Sequence, residues 1–249
     1  MFGYDHELLA VFALIFFFAA FVHGSTAFGF PMVATPLLAL VSDIHTAILL
    51  TLIPTFVVNV VTISSEGEVR QALRQHLPLA LLAMLGAGLG TMILIVSKPG
   101  IFEALLGCAI IAYLLASRID FRITWIAANP RASRLVFGLA AGLLGGLTNV
   151  MAPVLIIFAL ESGYRKRELI QASNMCFMSG KIMQLIVFST HGSFSGQQFG
   201  VSLTMLLFVV LALAIGVRIR RRIDPDRYLQ LLRGLLWVLA AGLLSKALW

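Results

Sequence analysis

His23-Gly24-Ser25-Thr26-Ala27-Phe28-Gly29-Phe30-Pro31 and Gly145-Gly146-Leu147-Thr148-Asn149-Val150-Met151-Ala152-Pro153 are two polar, glycine-rich breaks in otherwise apolar sequence. The first interrupts residues 8–41 and the second interrupts residues 135–160. Proline lacks the amide that a continuing helix needs, and glycine tolerates the backbone turns that other residues resist. Each run therefore reads as a broken-helix hairpin, with an apolar leg, a tip and a returning leg. Six further apolar runs, 46–63, 77–97, 100–117, 169–189, 199–217 and 228–248, have 18 to 21 residues. A single helix needs ~20 residues to cross a bilayer. No run alternates with the period of two that a membrane barrel requires.

Composition agrees. Of 249 residues, 60% are apolar and only 12% are charged, and mean hydropathy is +0.99. Soluble domains carry about 25% charged residues, so a soluble enzyme, a secreted disulfide scaffold and a disordered chain are excluded. The net charge of +7 does not imply a nucleic-acid partner, because the basic residues cluster in short loops between apolar runs. Cys108 and Cys176 lie far apart inside apolar runs, without metal-ligand spacing, and read as small buried hydrophobes. Asp5, His6 and Glu7 occupy the place of a basic signal-peptide head, so the first apolar segment is expected to stay in the mature protein. The fold class is an all-α integral membrane protein.

The two breaks match one another. A shift of 122 places Gly24 on Gly146, Thr26 on Thr148 and Pro31 on Pro153; a shift of 126 then places Gly90 on Gly216 and Pro99 on Pro225. The order of matches with one change of offset points to a tandem duplication: a first repeat at 1–122, a cytoplasmic linker at 123–134 and a second repeat at 135–249. Loop charge orients the repeats. If all eight runs are plain crossings, the loop Lys and Arg residues divide almost evenly between the two faces. If the two broken runs enter and leave on the same side, fourteen basic residues share one face and only Lys98 and Lys246 lie on the other. Basic loops stay cytoplasmic, which favours the hairpin arrangement. Each half then has one hairpin plus three crossings, an odd number, so the halves are inverted relative to each other, as in many transporters. Both termini face outward, and Arg218 to Arg222 read as an anchor for anionic lipid.

Non-helical backbone at membrane depth belongs beside protein or a water-filled cavity. Hairpin tips entering from opposite faces are expected near the midplane, where helix ends offer free amides to an anion. Gly24, Gly29, Gly145 and Gly146 permit close backbone approach, and Ser25, Thr26, Thr148 and Asn149 add neutral hydrogen bonds. The pairs Gly86/Gly90 and Gly138/Gly142 read as helix-packing seams. Lys181 lies twelve residues into the run 169–189, where a cation costs at least a few kcal/mol. It reads as the counter-charge for an anionic substrate, with snorkelling as the bland alternative. The offset of 122 pairs it with Asn59, and Asn174 shares its helix face. His23 beside the first tip is a candidate for proton coupling or a satisfied core histidine.

The first motif, His23-Gly-Ser-Thr-Ala-Phe-Gly-Phe-Pro31 followed by Thr35-Pro36-Leu37-Leu38, resembles the glycine-rich signature of the sulfite exporter TauE/SafE family of membrane transporters. The second copy, Gly142-Leu-Leu-Gly-Gly-Leu-Thr-Asn149 with Pro153, resembles it too, as does the segment around Asn174 to Gln184. The resemblance implies export of small sulfur-containing anions such as sulfite, sulfoacetate or related organosulfonates. Ser25-Thr26-Ala27 and Asn149-Val150-Met151 depart from the more glycine-rich family pattern.

The expected function is a secondary transporter, an exporter, that holds a small anion between the tips and alternates access by rocking one half against the other. An anion channel, a membrane scaffold and a membrane-embedded enzyme are the alternatives. The last lacks any HExxH, GxSxG or paired-carboxylate motif. The expected partners are the anion, membrane lipid, a coupling proton and a second copy of the chain in a homodimer. No nucleic acid, metal or cofactor is expected, and the location is the inner cell membrane.

Overall fold

The computed structural model describes residues 5–97, 99–116, 123–193, 195–219 and 225–248, and every regular element among them is a helix. Lys98, Arg118, Arg122 and Arg220 to Arg222, part of the charge reading above, lie outside the described residues. The run 8–41 divides into α1 (His6–Thr26) and α2 (Phe30–Val41); α3 (Ile44–Ser65), α4 (Val69–Val96) and α5 (Pro99–Ala116) follow. The linker holds a short α6 (Thr124–Ala128) and the first turn of α7 (Pro130–Thr148), which is paired with α8 (Ala152–Glu161). Then come α9 (Lys166–Thr190), α10 (Gly196–Ile219) and α11 (Pro225–Leu248).

The two breaks are built alike. Helix α1 ends because Ala27 turns left-handed, at φ 65°, while its amide still bonds the His23 carbonyl at 2.6 Å. Helix α7 ends the same way at Asn149, at φ 68°, whose amide bonds the Gly145 carbonyl at 2.8 Å. Gly29, at φ 99°, then opens α2, and Pro31 and Pro153 sit in the first turns of α2 and α8, where no intrahelical amide partner is needed. The hairpin legs are unequal. At 1.5 Å per residue the 21 residues of α1 span about 31 Å and the 12 of α2 about 18 Å.

Four helices, α1, α3, α4 and α10, are long and apolar enough to cross a membrane. Helix α9 is as long, yet it carries buried Gln171, Ser173, Asn174, Ser179, Lys181 and Gln184. It tolerates them because α3 and α4 pack on it and keep those side chains from lipid.

Packing does not follow the order of the sequence. Helix α4 packs on α7 and α9, whereas α10 packs on α1 and α3. Glycines make both crossings. Gly86 meets Gly142 and Gly90 meets Gly146 between α4 and α7; Gly24 meets Gly216 between α1 and α10. A Cβ on Gly24 would lie 2.6 Å from the Leu213 carbonyl oxygen, so only glycine allows this approach. Two hydrophobic cores result. One is mainly α1, α2, α3, α5, α10 and α11, and the other mainly α4 and α7 to α9.

Each end of the bundle is tied across the halves. At one end Gln171 donates to the Gly67 carbonyl at 2.8 Å, Arg167 pairs with Glu68 at 3.3 Å and Gln75 donates to Glu168 at 3.2 Å. At the other, the Lys246 ammonium donates to the Ala39 and Ser42 carbonyls, each at 2.6 Å, and pairs with buried Glu103 at 3.3 Å. His45 packs edge-on against Phe188 near the same end. One expectation fails: Cys108 is exposed on the outside of the bundle, and only Cys176 is buried. An apolar run gives no sign of which face meets protein and which meets lipid.

Candidate anion-binding site

Helix α9 touches both tips. From its fourth residue before the midpoint, Asn174 donates to the Ala27 carbonyl of the first tip at 3.1 Å and to the Ile170 carbonyl at 2.8 Å. From the third residue after it, Lys181 donates to the Asn149 side-chain carbonyl of the second tip. The tips thus straddle the middle of α9, about 10 Å apart along its axis.

Lys181 is 2% exposed. Its ammonium also donates to Gln184 Oε1 at 2.5 Å, and Gln184 Nε2 reaches the Gly146 carbonyl at 3.4 Å. The Asn149 amide faces Thr35 Oγ1 at 2.7 Å and Thr51 Oγ1 at 2.9 Å. Asn149 is therefore oriented by donation to α2 and α3 and presents its oxygen to the cation. The ammonium's partners are neutral amide oxygens, which stabilise it but do not balance its charge. An anion brought to it would meet a cation already desolvated, where attraction is far stronger than in water.

The first tip is arranged differently. Phe30 N–H donates to His23 Nδ1 at 3.2 Å, which fixes Nδ1 as the acceptor, so Nε2 carries the proton and donates to Thr62 at 2.8 Å. Asn59 lies one turn before Thr62 on α3. Asn59 Nδ2, Thr55 Oγ1, Ser173 Oγ and Asn174 Oδ1 are buried polar atoms without a hydrogen-bond partner among the described residues. All four belong to α3 and α9, which pack together. Buried polar atoms are rarely left so, because each costs about 1–3 kcal/mol.

The remaining expected contacts have other occupations. Thr26 Oγ1 bonds the Val22 and Phe28 carbonyls at 2.9 and 2.6 Å and accepts from Phe28 N–H at 3.2 Å. Thr148 repeats the pattern, donating to the Leu144 carbonyl at 2.8 Å and accepting from Val150 N–H at 3.3 Å. Ser25 bonds the Phe21 and Val22 carbonyls, both at 2.9 Å. These hydroxyls shape the tips. Gly24 and Gly146 give their close approach to α10 and α4, and Gly29 gives its freedom to the turn. Thr35 and Gln184 lie within the motifs that carry the resemblance, without a role of their own there, and Gln184 also stands one turn beyond Lys181 in an apolar run; Thr51 carries no signal in the sequence.

Two cavities adjoin these groups. One, about 250 Å³, lies between α3 and α9 against Lys181. The other, about 170 Å³, lies at the first tip and is lined by Thr26, Phe28, Tyr113 and Lys166 among others. No group of His, Cys, Asp and Glu that could hold a metal ion occurs among the described residues.

No curated protein and no solved structure matches the chain. The family model described as Sulfite exporter TauE/SafE matches residues 12–243, nearly the whole length, and agrees with the apolar helices above. The chain is a multi-pass membrane protein belonging to the sulfite exporter TauE/SafE transporter family.

Proposed function

We propose that the protein is a secondary transporter that exports a small anion, sulfite, sulfoacetate or a related organosulfonate, bound at Lys181 between the two hairpin tips. The observation that carries this reading is the Lys181 ammonium, buried at the second tip and held by the uncharged Asn149 and Gln184. The unpartnered polar atoms of Asn59, Thr55, Ser173 and Asn174 add hydrogen-bonding capacity on the facing helices.

The inverted-repeat topology has independent support. In a chain of eight plain crossings the 66–75 turn and the 165–171 segment would face opposite sides of the membrane. Here Gln171 bonds Gly67 and Arg167 pairs with Glu68. The matched left-handed residues Ala27 and Asn149, and the matched glycine crossings, agree with two related halves. In this topology the 66–75 end faces the cytoplasm, both termini lie outside, and the membrane is the inner one.

Alternating access takes a revised form. Because α4 and α10 are exchanged between the halves, a sequence half cannot rock as a body. The bodies are α1-α3-α10 and α4-α7-α9, each held by its glycine crossing, and they meet where α3 packs on α9. The anion sits on that seam. A coupling proton would enter at His23 Nδ1, displace the Phe30 amide and loosen the first tip from α2.

Uptake of sulfite by inverted vesicles tests the reading. Lys181→Met should abolish saturable transport, and Lys181→Arg should retain part of it. Transport unchanged in Lys181→Met would remove Lys181 from the mechanism.

A further inference from the structure

Glu103 is the one acidic side chain that is buried among the described residues. Its carboxylate meets the Lys246 ammonium at 3.3 Å, and it is 7% exposed against 34% for the lysine. Water therefore reaches the lysine and a proton can reach the acid, from the outer face in the proposed topology. Lys246 gives its other two protons to the Ala39 and Ser42 carbonyls, each at 2.6 Å. These carbonyls close α2, at an end that a helix leaves without internal partners and where a cation is favourable.

Helix α2 carries this contact to the anion site. Thr35 stands one turn before Ala39, about 6 Å along the axis. Its hydroxyl oxygen accepts from the Asn149 amide at 2.7 Å, and the oxygen of that same amide holds the Lys181 ammonium. Each step from Glu103 to Lys181 is thus an ion pair, a hydrogen bond or a turn of helix. Pro36 removes one amide from α2, which has only 12 residues, so the helix depends on its end contacts. His23 holds its first end through the Phe30 amide, and Lys246 holds its last.

Among the described residues no other charge faces the pair. Asp43 at the start of α3 accepts from the Thr46 amide at 3.0 Å, and His45 packs on Phe188. Arg233 of α11 and Tyr113 of α5 lie together toward the opposite end of those helices. On α7 and α8, which also pack on α5, Arg131, Arg134 and Glu161 sit at that opposite end too.

We infer that Glu103 is a positioning residue for the anion site: a proton taken up by its carboxylate from the outer face frees Lys246, lets the end of α2 move and weakens the hold of Asn149 on Lys181. This rests on the proposed role of Lys181 and adds the side of release, since acid outside favours the low-affinity form.

Sulfite binding to the purified full chain in lipid nanodiscs, measured by calorimetry from mildly acid to mildly alkaline pH, tests the inference. Sulfite's own titration and that of His23 are common to wild type and variants and drop out of affinity ratios. Glu103→Gln, which stands for the protonated acid, should bind about tenfold more weakly than wild type at alkaline pH, and the ratio should approach one in acid. Glu103→Asp should keep the pH dependence. Glu103→Leu combined with Lys246→Leu leaves no buried charge unmatched, so it should fold and bind weakly throughout. Should Glu103→Gln unfold, the ratio of wild type to this paired variant carries the same decision. Adding Glu103→Gln to Thr35→Val should weaken binding no further, because both cut one path. A ratio independent of pH, or additive losses, with Lys181→Met still abolishing binding, would overturn the inference and leave the proposed function standing. Absence of Lys181-dependent sulfite binding in every protein would overturn the proposed function as well.

Discussion

Asn149 bonds Lys181 with its oxygen while its nitrogen bonds Thr35 and Thr51, so one amide from the second half holds two helices of the first and the only cation of α9's interior. The same residue is in the left-handed conformation that ends α7, which asparagine tolerates better than most side chains. Its backbone stops the helix and its side chain orients the site.

Asn149→Ala should therefore damage stability and binding together. It leaves the ammonium short of a charge-assisted bond, a loss of about 1.5–3 kcal/mol. Ala27, in the same conformation at the first tip, carries no such amide. Ala27→Gly should raise stability by about 1 kcal/mol, since the left-handed conformation strains a Cβ. Thermal unfolding of both variants, read beside sulfite binding, separates the two effects. A stabilised Ala27→Gly protein with intact binding is the expected result.

The tip threonines should act on stability more than on affinity. Thr26→Val and Thr148→Val each remove a hydroxyl that bonds its own turn, at a cost of about 1 kcal/mol. Affinity should fall far less than in Lys181→Met. A loss of affinity equal to that of Lys181→Met would make these hydroxyls ligands of the anion.

Glycine seams should be intolerant. At Gly24 and Gly146 a Cβ would collide with backbone of α10 and α4, and backbone cannot swing aside as a side chain can. Gly24→Ala and Gly146→Ala should cost about 1–3 kcal/mol by overpacking, and the leucine variants should not fold. Gly196→Ala, with open space around it, serves as the control. Yield of monodisperse protein by size-exclusion chromatography reads the difference.

Topology is checked by labelling in a Cys108→Ala, Cys176→Ala background. Arg70→Cys and Lys166→Cys should react with an impermeant reagent from the cytoplasmic side only. His191→Cys and Ser193→Cys should react from the opposite side only. Opposite labelling of residues 70 and 166 would restore eight plain crossings.

The breaks and the buried cation were legible because each violates a strong local rule. Pro31, Pro153 and the glycines before them interrupt helices, and Lys181 interrupts an apolar run. The helix contacts of Gly24 and Gly146 were not legible, since a glycine that admits a ligand and one that admits a helix leave the same mark. Thr35 and Thr51 were hidden for a related reason. A threonine in an apolar helix can bond a preceding carbonyl of its own helix, as Thr51 does with Ala47 at 2.9 Å, and nothing local says that it also receives an amide from Asn149. The exchange of α4 and α10 was hidden because these helices are apolar on nearly every side, so periodicity cannot name the neighbour.

That exchange sets the order in which the chain can be completed during synthesis. Gly86 and Gly90 emerge before their partners Gly142 and Gly146, and Gly24 waits through nearly two hundred further residues for Gly216. Helix α1 can pack on α2 early, but its main neighbour α10 follows only after eight further helices. Until then its glycine notch faces lipid, or whatever insertion factor shelters it.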